Sequence, residues 1–195
     1  VELDAERAER ARSANPHAEI HQGDALEWAA RLDDGTRAFD LITLWDVFEH
    51  VPAPTALLAR LAKLLSPEGW LYVQTIHEQS LLPAVGRLCY TLSGGRVTYP
   101  ARRTHEPHHL VFFSRGGLAH AAEHAGLRIR ELWFDRLAHG RMDGASWVTG
   151  LTSLALRLEN ALGGGLFVNL LLARAPRREQ EVLADEPLRD PVEGA

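Results

Sequence analysis

The sequence predicts an α/β fold built on a mostly parallel sheet with an antiparallel strand at its C-terminal edge. Three observations carry that expectation. Short β-branched or aromatic runs alternate with helix-patterned segments, the order expected of right-handed crossovers. Two of those runs, "FDLITLWD" (39–46) and "GWLYVQT" (69–75), are almost continuously apolar, as strands covered on both faces are. The last two runs, "LRIRELWFD" (127–135) and "GLFVNLLLARA" (165–175), follow long helical stretches, so that side of the sheet should be mixed.

The elements follow in order. The chain opens on "VELD", and "DAERAERARSAN" (4–15) is a helix rich in Ala, Glu and Arg that Pro16 stops. "AEIHQGD" (18–24) alternates like a strand and breaks at Gly23-Asp24. After the run at 39–46 comes "PTALLARLAKLLS" (54–66), with leucines at 57, 58, 61, 64 and 65 forming a one-sided helical stripe. A proline opens it and "SPEG" closes it. "SRGGLAHAAEHAGL" (114–127) reads as a helix with Ser114 as N-cap and Gly126 just past its end. Residues 1–175 form one domain, with a helical insertion at about 78–126. The polar, proline-containing tail at 176–195 lacks periodicity and is expected to be disordered.

Composition narrows the function. At 195 residues, 46% hydrophobic and 24% charged, the chain suits one soluble domain. A formal net charge of -5 argues against nucleic acid as partner, because phosphate binding wants a basic face. The single cysteine, Cys89, excludes an internal disulfide and points to a reducing, cytoplasmic setting. The most membrane-like stretch, 147–173, is interrupted by Arg157, Glu159, Asn160 and the glycines at 163–165, so no transmembrane span is expected; peripheral membrane contact stays open, as does oligomeric state.

In an open α/β sheet, ligands bind outside the carboxyl ends of the strands. Those ends present Glu2, then Asp24, then Asp46 with Glu49 and His50, then Thr75 to His77. Carboxylates on successive strand ends suit a nucleoside, one accepting from ribose hydroxyls and another from the adenine amino group. Taken singly, a Gly-Asp is more often a turn, and Glu2 alone could be a solvated terminal residue.

In order along the chain, "VELD", "QGDALEW", "FDLITLWDVFEHVPAP", "LAKLLSPEGWLYVQT" and "HHLVFFSRGGLAHAAEHAGL" resemble the class I S-adenosylmethionine-dependent methyltransferases, over about residues 1–175. Within them, the chain looks most like the methyltransferases of ubiquinone biosynthesis and their small-molecule relatives. The resemblance implies a Rossmann-like sheet and S-adenosyl-L-methionine as cofactor. It implies that Glu2 binds the ribose, that Asp24 and Ala25 flank the adenine, and that Trp45 lines the cofactor. Glu68 replaces the first of the two glycines usual before the fifth strand of that fold. The family's first strand and its glycine-rich "GxGxG" loop have no counterpart in the sequence. That departure leads to the expectation that the chain is the C-terminal portion of a longer protein and binds the cofactor poorly alone.

Asp46, Glu49 and His50 resemble the Glu-x-x-Glu-His with which ubiquinone-type O-methyltransferases bind a divalent cation such as Mg beside the acceptor. A hard cation suits carboxylate oxygens and lowers the pKa of a catechol-like hydroxyl. The alternatives are that Glu49-His50 caps the turn before Pro52, or that His50 is a metal-free general base, since imidazole titrates near working pH. "THEPHHLVFFS" places His105, His108 and His109 together; by family analogy this loop lies over the acceptor pocket with His109 facing substrate. The insertion carries Leu81, Leu82, Leu88, Tyr90 and Tyr99, whose apolar content favours a small hydrophobic or lipid-linked acceptor over nucleic acid; the resemblance to the ubiquinone enzymes favours O-methylation. Two rivals remain at this stage, a nicotinamide-dependent oxidoreductase and a non-catalytic methyltransferase-like interaction domain.

Overall fold

The structure, a computed structural model, describes residues 1–33, 35, 37–98, 108–135, 154, 157–159, 161–162 and 164–176. Its elements are helix α1 (Ala5–Ala14), helix α2 (Ala25–Leu32), strand β1 (Phe39–Trp45), a 3-10 turn (Phe48–His50) and helix α3 (Pro54–Leu64). Strand β2 (Leu65–Ile76), helix α4 (Leu81–Leu92), helix α5 (Arg115–His124), and strands β3 (Leu127–Asp135) and β4 (Phe167–Arg174) complete it.

The four strands lie in the order β1-β2-β4-β3, with β1 parallel to β2 and β4 antiparallel to both its neighbours. The C-terminal strand is therefore the antiparallel one, as expected, but it is interior. The edge position belongs to β3. The reason is visible in the sequence of β4, where Val168, Asn169, Leu170 and Leu172 are all buried, a pattern an edge strand does not need. β1 also departs from expectation. Leu44 is buried, yet Leu41 and Trp45 on the other face are more than half exposed, so β1 is covered on one face only among the described residues.

The expected strand at 18–24 is reduced to one parallel bridge, Glu2 with Gln22. The residues that follow form α2, a helix that the reading at 18–24 left out. Asp24 both ends the extended run and caps the helix, its Oδ1 accepting from the amides of Leu26 (2.8 Å) and Glu27 (3.0 Å). Ser114 caps α5 as expected, accepting from Gly117 N, and Gly126 adopts the left-handed φ of +71° that follows a helix end.

The core lies on one face of the sheet. Leu57, Leu58 and Leu61 of α3 and Leu118, Ala121 and Ala122 of α5 pack on Leu44, Leu71, Val73, Val168, Leu170 and Leu172. Within 78–126, then, α5 belongs to the core, while α4 stands apart and exposes Leu88, Tyr90 and Leu92. Gly69, in the first half of β2, is required by proximity, since a Cβ there would lie 2.7 Å from the Phe39 carbonyl oxygen. Among the described residues, no helix is long and apolar enough to cross a membrane. The expected tail beyond Pro176, His105 and most of 147–163 lie outside the described residues.

Candidate functional site

The chain beyond β1 turns sharply. Asp46 takes a positive φ of 50°, uncommon for a side-chain-bearing residue, and the 3-10 turn follows at once. This geometry drives Phe48 inward, stacked on Phe113 at 4.6 Å, and carries Glu49 inward beside it. Glu49 is 2% exposed and Thr75, one residue before the end of β2, is fully buried. The Thr75 hydroxyl donates to Glu49 Oε2 at 2.9 Å.

The segment at 108–113 docks on the same rim. The amides of Leu110 (2.8 Å) and Val111 (3.2 Å) donate to the Glu49 carbonyl, and Phe113 forms a parallel bridge with His77 at the end of β2. His50 Nδ1 lies 2.8 Å from the His108 carbonyl oxygen. A carbonyl only accepts, so this contact places the proton on Nδ1 and leaves Nε2 with its lone pair. The rings of His50 and His109 lie 4.9 Å apart.

Glu49, His50 and His109 form one cluster, each offering a ligand atom within 4.8 Å of the others'. Burial pushes the Glu49 carboxyl above its ordinary value, and the negative charge of Asp46 adds to the rise. Its own backbone amide and the Thr75 hydroxyl oppose the rise. Asp46 acts on this cluster through its charge and is not part of the close set; His109 takes the third place. Two imidazoles and one carboxylate do not fit Mg, which demands oxygen ligands in a nearly octahedral arrangement. Such a set suits a borderline cation such as zinc better, and an imidazole with a free lone pair is also able to accept a proton.

The expected cofactor residues fall into two groups. Glu2 and Asp24 are neighbours through the Glu2–Gln22 bridge, in which Glu2 N donates to His21 O (2.9 Å) and Gly23 N to Glu2 O (3.0 Å). Each carboxylate spends one oxygen locally, Glu2 Oε1 on the amide of Asp4 (3.1 Å) and Asp24 Oδ1 on the cap of α2. The other oxygen of each meets no donor among the described residues. Two such oxygens on adjoining chain ends fit the hydroxyls and amino group of an adenosine, with Ala25, half-buried, beside them. Trp45 is elsewhere on the rim, its ring 4.6 Å from that of Tyr72; no hydrogen bond or ring contact among the described residues joins it to Glu2 or Asp24.

Sequence reasoning passed over two sets of residues. On the face shared with Trp45, the Tyr72 hydroxyl donates to Asn169 Oδ1, and Gln74 Nε2 reaches the same oxygen at 3.1 Å. Burial, then the charge of Asp135, pushes the Tyr72 phenol up. The second is Glu159, 4% exposed, whose Oε1 accepts from Leu81 N (3.0 Å) and so caps α4 from 78 residues away. Burial raises its carboxyl as well. An acid inside an apolar stretch was the available signal for Glu159.

An open α/β sheet with acids and imidazoles gathered beyond its strand ends is the framework of a cofactor-dependent enzyme domain. The sequence profile described as "Methyltransferase domain" matches residues 1–132, and the chain belongs to that family, the S-adenosylmethionine-dependent methyltransferases. It is 34% identical over 96 residues to the ubiquinone biosynthesis O-methyltransferase of Thiobacillus denitrificans, covering 48% of this chain and 38% of that protein. With the Marinobacter nauticus enzyme of the same name it shares 28% over 156 residues, 79% of this chain and 56% of that one. The chain thus spans between 38% and 56% of the length of these relatives. A methyltransferase from Archaeoglobus fulgidus superposes with a TM-score of 0.56 at 14% identity, over 87% of this chain and 72% of the other, a likeness of fold.

Proposed function

We propose that the chain carries the acceptor side of a methyltransferase that moves a methyl group from S-adenosyl-L-methionine to a small hydroxylated acceptor, apolar or lipid-linked. The observation that supports this reading is His50: its Nδ1 is engaged by the His108 carbonyl, which leaves the lone pair of Nε2 without a hydrogen bond among the described residues. When bound, the cofactor supplies a sulfonium-activated methyl group. The chain's residues do the rest. Glu2 and Asp24 hold the adenosine with their spare oxygens, Trp45 presents an apolar wall, and His50 takes the acceptor's hydroxyl proton as the oxygen attacks. His109 and the exposed apolar residues of α4 orient the acceptor. Alignment and desolvation supply most of the rate in such a displacement, and a base adds about 10²–10⁴. O-methylation is favoured because the relatives named above are O-methyltransferases.

The test is transfer of a labelled methyl group to a catechol-bearing acceptor, with calorimetric binding of S-adenosylhomocysteine and NAD alongside. Methyl transfer that falls steeply in His50→Ala supports the reading. Binding of NAD without S-adenosylhomocysteine, or turnover indifferent to residue 50, overturns it.

A further inference from the structure

At the opposite end of the sheet from Glu49 lies a cavity of about 450 Å³. Its walls are the first half of β2 (Pro67, Glu68 and Trp70), the start of β3 (Arg128 and Arg130) and the end of β4 (Arg174). That volume is within the range of small-molecule pockets. Three guanidiniums converge on it against a single carboxylate, Glu68, and none of the four forms an ion pair among the described residues.

The backbone builds this convergence. In the pairing of β3 with β4, Ile129 faces Leu172 and Glu131 faces Leu171, so Arg130 is an extra residue bulged out of the ladder. Arg128 and Arg130, two residues apart at this irregular start of β3, both line the cavity. Arg174 is held from behind, its Nη2 donating to the carbonyls of Lys63 (2.8 Å) and Leu65. The Nε atoms of Arg128 and Arg174 are buried and meet no acceptor among the described residues. Two buried N–H donors without acceptors, beside three positive charges and one negative one, favour an anion there. Arg130 is exposed and Arg128 and Arg174 are half-buried, and the three line one concavity that spans the edge strand and the interior strand. Trp70, 37% exposed, supplies a flat apolar wall.

We infer that this cavity is a second ligand site, separate from the methyl-transfer rim, that takes a small phosphate ester carrying a planar group. Guanidinium forks match phosphate oxygens in pairs, and the indole stacks on the ring.

The probes are inorganic phosphate and phenyl phosphate, titrated calorimetrically into the full chain. Both bind, phenyl phosphate the tighter. The double variant Arg128→Gln/Arg130→Gln loses at least about tenfold in affinity, since each charge-assisted pair is worth that much or more. Arg128→Lys/Arg130→Lys keeps the charge and the strand edge and falls between. Trp70→Leu removes the preference for phenyl phosphate and leaves inorganic phosphate unchanged. No saturable binding in the millimolar range, or binding that the glutamine pair leaves intact, overturns the inference. Binding of S-adenosylhomocysteine is unaffected by the glutamine pair, so failure here is distinct from failure at the rim.

Discussion

Replacing Thr75 with valine removes one hydroxyl and almost no volume. In the structure that hydroxyl is fully buried and donates at 2.9 Å to a carboxylate that is itself 2% exposed. Burial holds the Glu49 carboxyl above 4.5, so between that value and its raised folded value the folded chain binds a proton that the unfolded chain has released. The stability this contributes is fully present below 4.5 and is lost as pH rises through the folded value. Because the hydroxyl opposes the rise, valine widens the window and deepens the loss. With Glu49 protonated the variant forgoes a neutral hydrogen bond, about 0.5–1.5 kcal/mol; with Glu49 ionised it forgoes a charged one, about 1.5–3 kcal/mol. Urea unfolding of both proteins at about pH 4.5 and about pH 8 measures the difference. The variant's deficit grows by roughly 1 kcal/mol at the higher pH. An equal deficit at both values refutes the reasoning that Thr75 stabilises a buried carboxylate.

Further outcomes follow from the same geometry. His50→Ala lowers kcat on a phenolic acceptor by about 10²–10⁴ without altering the unfolding midpoint, as steady-state kinetics beside a melting curve checks. Asp24→Asn keeps the cap of α2 and weakens S-adenosylhomocysteine binding by roughly tenfold, whereas Asp24→Ala also costs about 1 kcal/mol of stability; calorimetry and urea unfolding separate the two. Gly69→Ala forces a Cβ against the Phe39 carbonyl oxygen and costs about 1–3 kcal/mol, and an unshifted melting temperature contradicts that.

Much of the fold was legible because its signals were local. The leucine stripe of α3, the cap at Ser114 and the glycine at 126 each act within a few residues, and each stands where the pattern placed it. What the sequence concealed depended on neighbours in space. The run at 18–24 looks like a strand, yet its pairing is confined to one bridge, and the cap chemistry of Asp24 turns the chain into α2. The position of β4 depends on which two strands accept it, which no run of residues states. At the site, Glu49 and His50 were visible as polar groups ending an apolar run. His109 entered their cluster through the docking of Leu110 and Val111 on the Glu49 carbonyl, a contact across some 60 residues that spacing cannot reveal.

The insertion of β4 between β2 and β3 also bears on how the chain acquires its shape during synthesis. On the ribosome, β2 and β3 are made first and have no partner in each other; both wait, with bare hydrogen-bonding edges, for residues 167–174 to emerge. Closure of the sheet is therefore a late event, and a nascent chain stalled before β4 offers two sticky borders to chaperones or to other unfinished copies.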